Sequence, residues 1–111
     1  MQDLKKLKKD FDGLRKFLVA VGHEKRQAII LALLEDKACE GLRVNDLTEV
    51  TQLSRPAISH HLKILKDAHV VDYSRVGTKN YYFLSHDLVE IDKMEMFIND
   101  IKEVIRKRDK K

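Results

Sequence analysis

Residues 53–67 of the chain, LSRPAISHHLKILKD, contain its clearest structural pattern. Ser54 belongs to the residue types that cap helix N-termini, and Pro56 follows within the first turn, where its missing N–H costs no hydrogen bond. Three apolar residues then recur at spacings of four and three, namely Ile58, Leu62 and Leu65. This stretch predicts a helix with one narrow buried face.

The opposite face of this helix carries cationic and short hydrogen-bonding groups and lacks a carboxylate. Its members are Arg55, Pro56, Ser59, His60 and Lys63. A helix that is anchored by an apolar stripe and presents such a face outward suits the DNA major groove. An ordinary amphipathic surface helix has a similar pattern, so the helix alone leaves both interpretations open.

The composition predicts one soluble domain that is rich in helix. The chain has 111 residues, of which 43% are hydrophobic and 36% are charged. It contains neither an apolar run of about 18 residues nor a signal-peptide pattern, so we expect no membrane partner and a cytoplasmic location. Its one cysteine, Cys39, excludes an intrachain disulfide and a multi-cysteine metal cage.

Charge is distributed unevenly along the chain. Residues 1–22 carry six basic and three acidic groups, and residues 54–84 carry five and two. Residues 23–53, which lie between them, carry four basic and six acidic groups. Positive blocks beside an acidic one favour a polyanionic partner.

Two helices are predicted before the opening stretch. Apolar residues at spacings of three and four predict a helix over residues 3–21, which Gly22 ends. A second helix, over residues 23–36, is apolar around much of its circumference, so we expect it to pack on several sides. His23, at its start, is interpreted as a boundary or capping residue rather than a metal ligand.

A short third helix is predicted immediately before the opening stretch. Residues 42–44 suit a brief strand, and Asn45 is placed as the N-cap of a helix over residues 46–51. A tight connection at Gln52 then leads into the next helix. Two short helices joined by such a turn form a helix-turn-helix, here residues 45–67.

The segment after Asp67 changes its apolar period from 3.6 to 2, which predicts a β-hairpin over residues 70–84. Gly77 can supply the positive φ that a tight turn requires, and Arg75 and Lys79 flank this tip. A hairpin tipped with cations, directly after such a helix, is interpreted as a wing that contacts DNA backbone or minor groove. A solvated hairpin with incidental charges is the alternative.

A long last helix is predicted over residues 87–108. Its apolar residues form a heptad-like seam, widened by Phe97: Ile91, Met94, Ile98, Ile101 and Ile105. A domain this small already has its core, so we expect the seam to face a second copy of the chain. The first helix is expected to share this dimer interface through Leu7, Phe11 and Leu14. Packing of part of this surface against the chain's own first helix is the alternative.

In this order, the elements resemble those of the ArsR/SmtB family of winged helix-turn-helix repressors. The resemblance covers about residues 14–85 and is strongest at residues 54–65, SRPAISHHLKIL, which are similar to the family's recognition-helix signature. Further matching pieces are residues 22–26, 29–31, 44–47, 75–79 and 82–84. The resemblance implies a mainly α (α+β) fold of about five helices with a β-hairpin wing, as a single domain over residues 1–111. It also implies a homodimer that binds a pseudo-palindromic operator in double-stranded DNA and represses transcription until a signal relieves it.

The resemblance also assigns roles by position. Base contacts fall to Ser54, Arg55, Ala57, Ser59 and His60. Phosphate contacts fall to Lys63, Arg75, Thr78 and Lys79. Pro56 and His61 complete the predicted DNA-binding set, although His61 is expected to pack inward or meet a phosphate rather than contact a base.

Positions at which many members of the family bind metal carry unsuitable residues here. Arg43 and Asn45 stand where a cysteine pair is expected, and neither supplies a thiolate. Near the start of the last helix, His86, Asp87 and Glu90 are followed by no further histidine, and carboxylates alone suit zinc poorly. We therefore predict neither a metal nor another cofactor, and no inducer is assigned.

A second departure lies between the recognition helix and the wing. His69 stands where relatives place a helix-ending glycine. Because histidine tolerates the left-handed conformation less well than glycine, we expect the junction with the wing to differ slightly.

Other functions find less support in the sequence. The five histidines have no serine, cysteine or carboxylate partner at informative spacing, and there is no glycine-rich phosphate loop, so we predict no enzyme and no catalytic residues. A winged-helix module that binds protein would present aromatic or aliphatic anchors, which the face with Arg55 and Lys63 lacks. A redox-responsive regulator acting through Cys39 is a further alternative, although a lone thiol favours an inert structural cysteine.

Overall fold

The computed structural model describes residues 2–36 and 40–109, so Cys39 and its suggested redox role lie outside the described residues. Within these ranges the chain forms five helices and one β-hairpin, in the predicted order. The elements are α1 (Gln2–Val21), α2 (Glu24–Glu35), α3 (Val44–Thr51), α4 (Arg55–Asp67), β1 (Val71–Val76), β2 (Lys79–Leu84) and α5 (Val89–Asp109). This arrangement confirms the predicted mainly α winged helix-turn-helix fold.

The core lies where α2, α3, α4 and the base of the hairpin meet. It includes Ile29 of α2, Leu47 of α3 and Val71 of β1. α4 contributes the three residues predicted from its spacing, each at most 2% exposed: Ile58, Leu62 and Leu65. Burial of a side chain of this size contributes roughly 1.5–3 kcal/mol, so the stripe fixes which face of α4 points outward.

Two predicted helix caps are confirmed. Ser54 Oγ accepts a hydrogen bond from the Ala57 N–H at 3.3 Å, and Pro56 is the second residue of α4. His23 caps α2, because its Nδ1 accepts from the Lys25 N–H at 3.0 Å. Each cap supplies an acceptor to an N–H group that the first helical turn leaves unpaired.

α4 ends in a Schellman motif. The His69 N–H donates to the Lys66 carbonyl at 3.0 Å, and the Val70 N–H donates to the Leu65 carbonyl at 2.9 Å. His69 has φ +63°, the left-handed conformation that favours glycine. We expected the backbone at the junction with the wing to differ slightly, and this prediction is wrong, because His69 adopts the conformation in which glycine usually ends a helix. The left-handed conformation strains the histidine by about 1–2 kcal/mol.

α2 packs on several sides but leaves part of its apolar circumference exposed. Ile29, Ala32 and Leu33 are buried, but Leu31 and Leu34 are exposed. The helix contacts α1, α3, α4 and β2, so the prediction of packing on several sides is confirmed, and only the side that carries Leu31 and Leu34 stays open. No helix in the described ranges is both long and apolar enough to cross a membrane.

α3 begins at Val44 rather than Asp46, and the predicted N-cap at Asn45 is wrong. Arg43 occupies the cap position, and its backbone N–H donates to Asp46 Oδ2 at 2.9 Å. A guanidinium has no acceptor, so the aspartate supplies the cap that the arginine side chain cannot. The side chain of Asn45 is consequently available for a contact with Arg55.

The hairpin has the predicted turn and is fixed at its base. A two-residue loop connects β1 to β2, and Gly77 takes φ +65° within it. At the base, Leu42 and Tyr82 exchange backbone hydrogen bonds of 2.8 Å in both directions. The predicted brief strand at residues 42–44 is reduced to this single bridge, which attaches the wing to the segment before α3.

α1 and α5 pack against each other in antiparallel orientation. The Phe11 and Phe97 rings meet edge to face, with their centroids 4.5 Å apart. Two ion pairs join the helices, Lys6–Asp100 at 2.7 Å and Asp3–Lys107 at 3.4 Å. α5 starts at Val89, later than the predicted residue 87, because Asp87 lies before the helix and its Oδ1 accepts from the Val89 N–H at 3.0 Å.

Two residues that were predicted at the dimer interface pack inside the single chain. Leu14 is 2% exposed and Phe97 is 3% exposed in one copy alone. Side chains that are already buried against their own chain offer no surface to a second one. We therefore correct the predicted interface by removing Leu14 and Phe97, in agreement with the alternative that α5 packs partly on its own first helix.

Candidate nucleic-acid interface

The outward face of α4 is open to solvent. Ala57 is half-buried, and the other residues predicted on this face and its cap are exposed: Ser54, Arg55, Pro56, Ser59, His60 and Lys63. Because the buried stripe holds the helix in the core, this face is presented on a rigid element. Such a face can enter a groove of the duplex without rearrangement of the fold.

A cleft lies between the starts of α3 and α4 and the tip of the wing. It has a volume of about 160 Å³, and no carboxylate is among its lining residues: Arg43, Val44, Asn45, Arg55, Thr78, Lys79 and Asn80. Arg55 and Lys79 are distant in sequence but share this one concave surface. The structure therefore brings the start of the recognition helix and the wing tip together, as the winged-helix interpretation requires.

Two arginines of this region are held by neutral acceptors. The Arg55 guanidinium donates to Asn45 Oδ1, which leaves its remaining N–H groups available to a ligand. On the wing, Arg75 Nε donates to the Gly77 carbonyl at 3.2 Å. Both side chains are thereby oriented while their positive charge stays uncompensated.

The cations of this face lack carboxylate partners. Within the described part of the chain, every ion pair lies in or between α1 and α5, and none involves Arg55, Lys63, Arg75 or Lys79. Lys66 instead lies with its Nζ 5.4 Å from the centre of the Tyr73 ring. Uncompensated cations around a concave surface create a positive potential that attracts a polyanion.

His61 differs from its neighbours on α4 because it faces the interior. It is 8% exposed, and its Nδ1 lies 3.2 Å from Nη1 of Arg26. Burial lowers the pKa of His61 from its ordinary value of 6.5, and the positive charges of His23, Arg26 and His60 lower it further. We therefore correct the predicted DNA-contacting set by removing His61, whose inward packing is one of the two roles that the resemblance implied.

Three residues that line the cleft or pack beside α4 were not predicted from the sequence to belong to this region. Arg43 and Asn80 line the cleft, and Asn80 Oδ1 is buried without a hydrogen-bond partner among the described residues. Arg26 is buried beside α4. The inward direction of His61 had a signal, since it lies three residues after Ile58 on a helix, whereas Arg26 and Asn80 are placed only by contacts between distant segments.

The candidate ligands near the start of α5 have structural partners within the described part of the chain. In the described ranges no group of three or more histidine, cysteine, aspartate or glutamate side chains is arranged to hold a metal ion. Near the start of α5, Asp87 caps the helix and Glu90 pairs with Lys93 at 3.4 Å. The His86 ring lies against Phe83, with centroids 5.4 Å apart. These side chains have structural partners of their own.

A second exposed surface lies along α1 and α5. Four of the residues predicted at the dimer interface are between 43% and 55% exposed: Phe11, Ile91, Ile98 and Ile105. Leu7, Met94 and Ile101 are half-buried. An open groove of about 420 Å³ passes Phe17, Ile91, Met94 and Ile98 on this side. Contiguous apolar surface of this kind marks an interaction surface.

The fold and the cationic face around α4 define a winged helix-turn-helix protein. The family model described as "Bacterial regulatory protein, arsR family" matches residues 23–73. The chain belongs to this ArsR family, as the resemblance predicted. Because the family is made up of transcriptional regulators, membership agrees with the prediction that the chain is not an enzyme.

Similar proteins extend the match beyond the central segment. The chain is 32% identical over 97 residues to the "Cadmium resistance transcriptional regulatory protein CadC" of Listeria innocua. This match covers 86% of this chain and 77% of that protein. It is 37% identical over 60 residues to the "Arsenical resistance operon repressor" of Staphylococcus aureus, which covers 54% of this chain. The match spans only 58% of the length of that repressor.

Solved structures show the same architecture. The "ArsR-like Transcriptional Regulator from Rhodococcus sp. RHA1" superposes with a TM-score of 0.73 at 23% identity, covering 88% of this chain and 84% of that one. At this identity the likeness establishes the shared fold.

Proposed function

We propose that the chain is a sequence-specific DNA-binding regulator of transcription, acting in the cytoplasm as a homodimeric repressor on a pseudo-palindromic operator. It does so without the metal site usual in the family. The observation that carries the proposal is the cluster of cations without an ion-pair partner around α4 and the wing tip, beside a cleft that has no carboxylate among its lining residues. The names of the relatives, which include operon repressors, support the same function at the level of the family.

In this proposal α4 lies in the major groove and its first turns face the base edges. The residues that contact bases are Ser54, Arg55, Ala57, Ser59 and His60. Arg55 is the main determinant, because an arginine fork makes two parallel hydrogen bonds to guanine. Its hydrogen bond to Asn45 orients the fork before DNA arrives, which reduces the side-chain entropy lost on binding.

The wing and the middle of α4 contact the phosphate backbone. Lys63 lies on the exposed face of α4, and Arg75, Thr78 and Lys79 surround the hairpin tip. Contacts to phosphates fix the orientation of a protein on the duplex but carry no base information. They supply the affinity that depends on salt.

The second copy binds through α1 and α5. On α5, Phe97 packs against its own chain, whereas Ile91, Ile98 and Ile105 are exposed. The helix therefore has one apolar side that is covered and one that is open to solvent. Twofold symmetry would place the two α4 helices one helical turn of DNA apart, roughly 34–36 Å. A pseudo-palindromic operator mirrors that symmetry.

The salt dependence of binding tests the proposal. The purified full chain is titrated into a random-sequence pool of duplexes of about 30 base pairs, at increasing salt. We expect the logarithm of the affinity to fall with the logarithm of the salt concentration with a slope of several units, because each phosphate contact releases counterions.

Matched substitutions identify the surface responsible. Lys79→Ala should reduce the slope by about two units, one for each copy in the dimer, whereas Arg108→Ala, which removes an exposed cation at the end of α5, should leave it unchanged. Binding that is insensitive to salt, or no binding to any duplex, contradicts the proposed function.

A further inference from the structure

The buried guanidinium of Arg26 connects three helices. Its Nε donates to the Ala20 carbonyl at 2.7 Å and its Nη2 donates to the Val19 carbonyl at 3.0 Å, both at the end of α1. Its Nη1 lies 3.2 Å from Nδ1 of His61 on α4. One side chain of α2 thus joins the helix proposed to dimerise with the helix proposed to contact DNA.

This contact requires one protonation state of His61. Arg26 remains charged and only donates, so Nδ1 of His61 must accept, and the proton of the neutral ring is on Nε2. A second proton on Nδ1 would remove the acceptor. It would also place an imidazolium against a guanidinium in a buried site, where like charges are poorly screened.

The surroundings of His61 offer no compensation for that charge. Its ring centroid lies 4.9 Å from that of His23, at the start of α2, and 5.7 Å from that of His60 on its own helix. With Arg26, these are the titratable and charged groups that act on it, and all three are basic. α1 contributes the backbone carbonyls of its last turn, which Arg26 already occupies. No carboxylate in the described ranges forms an ion pair with His61.

We propose that Arg26 and His61 are positioning residues for DNA binding, which hold α4 in its orientation only while His61 is neutral, so that acidification weakens DNA binding. The inference rests on the proposed function, because it concerns how α4 is presented to the duplex. Neither residue contacts DNA, since both are buried.

The pH dependence of folding follows from the same contact. Burial holds the pKa of His61 below 6.5, so the unfolded chain takes up the proton first as the pH falls. The free energy of unfolding therefore decreases as the pH drops below 6.5. The proposed loss of DNA affinity occurs in this same range.

DNA binding at two pH values tests the coupling. His60 is exposed on the face proposed to contact DNA, so all chains carry His60→Gln, which leaves that face without an imidazole. We expect this reference chain to bind a duplex of about 30 base pairs more weakly at about pH 5.5 than at about pH 8, by at most about tenfold, because protonation of His61 leaves a buried donor of Arg26 unpaired.

Two further substitutions separate positioning from general destabilisation. His61→Asn keeps an acceptor near the position of Nδ1 but cannot take a proton, so its affinity should be the same at both pH values. His86→Gln is the matched control: it removes an exposed histidine whose ring lies against Phe83, and the loss of affinity at low pH should persist. Equal affinity of the reference chain at both pH values, or an unchanged loss in His61→Asn, overturns the proposal.

Nuclear magnetic resonance of the free full chain gives a readout that needs no DNA. Imidazole nitrogen shifts should place the proton of His61 on Nε2, with titration below 6.5, and Arg26→Met should move that titration upward. A proton on Nδ1 at neutral pH, or titration at 6.5 or above, contradicts the Arg26–His61 contact. If these signals appear as expected but no chain binds DNA at either pH, the proposed function fails and the buried contact stands.

Discussion

The two ends of the molecule place their apolar side chains in opposite ways. In α3, α4 and the base of the wing, most apolar residues fill the core, with Val50 as an exposed exception. Along α1 and α5, Leu14 and Phe97 fill the space between the helices, while Ile91, Ile98 and Ile105 face outward. The end that contains α4 is complete as a single chain, whereas the α1–α5 end has a second apolar row without a partner.

Charge follows the same division. The ion pairs of the described residues lie on α1 and α5, whereas Arg55, Lys63, Arg75 and Lys79 around α4 and the wing have no acidic partner. One end of the molecule therefore has cations without an anionic partner, and the other has an exposed apolar row without an apolar partner. This difference supports two separate binding events, one with DNA and one with a second copy.

The largest effect is expected from a substitution that disrupts the proposed interface at the α1–α5 end and leaves the α4 end unchanged. Ile98→Glu would bury an unpaired carboxylate from each copy in an apolar seam, which costs several kcal/mol. We expect the dimer dissociation constant to rise about a hundredfold or more, so that sedimentation at micromolar concentration detects monomers. Met96→Glu is the matched control, because Met96 is exposed on α5 beside Lys6 and Lys93, away from the seam. A dimeric Ile98→Glu chain would refute the seam.

A smaller effect is expected at the α4 end. Arg55→Ala should cost about 1–3 kcal/mol on a duplex selected from a random pool and much less on unselected duplex, since a base contact discriminates between sequences. Fluorescence anisotropy on both duplexes measures the difference. Arg15→Ala, which removes an exposed arginine paired with Asp12 on α1, should change neither affinity. Equal losses on both duplexes would make Arg55 a phosphate contact.

The smallest expected effect lies between the two ends, at His69. His69→Gly should raise the free energy of unfolding by roughly 1 kcal/mol, because glycine relieves the left-handed strain at the end of α4. His69→Ala loses the same ring but keeps a Cβ, so it should give no such gain. Chemical denaturation measures both, and a gain in His69→Ala equal to that in His69→Gly would attribute the effect to the ring instead.

The elements with strong local signals were predictable from the sequence. α4 has its cap at Ser54, a proline in its first turn and three apolar residues at helical spacing, and each acts locally. Gly77 likewise marks the hairpin turn through its own φ. The start of α3 was misplaced because Asn45 is a good capping residue type, whereas the structure uses Asp46 to cap the backbone of Arg43.

The site was predictable as a surface but not as a set of contacts. Helical spacing separates the outward residues of α4 from the buried ones, but it does not show that Arg26 is beside His61 or that Asn80 is beside Arg55. Phe97 illustrates the same limit, because two apolar rows on one helix look alike until the partner helix covers one of them. Contacts between distant segments decide these cases.

The paired backbone hydrogen bonds between Leu42 and Tyr82 restrict how the wing can move. The base of the hairpin cannot swing away from the helix-turn-helix without breaking both 2.8 Å bonds. The span between α4 and the tip at Gly77 is therefore set by the protein, and the duplex must adjust its groove width and bend to meet both. Deforming DNA costs free energy that depends on base sequence, so operators would differ in affinity through base pairs that no side chain touches.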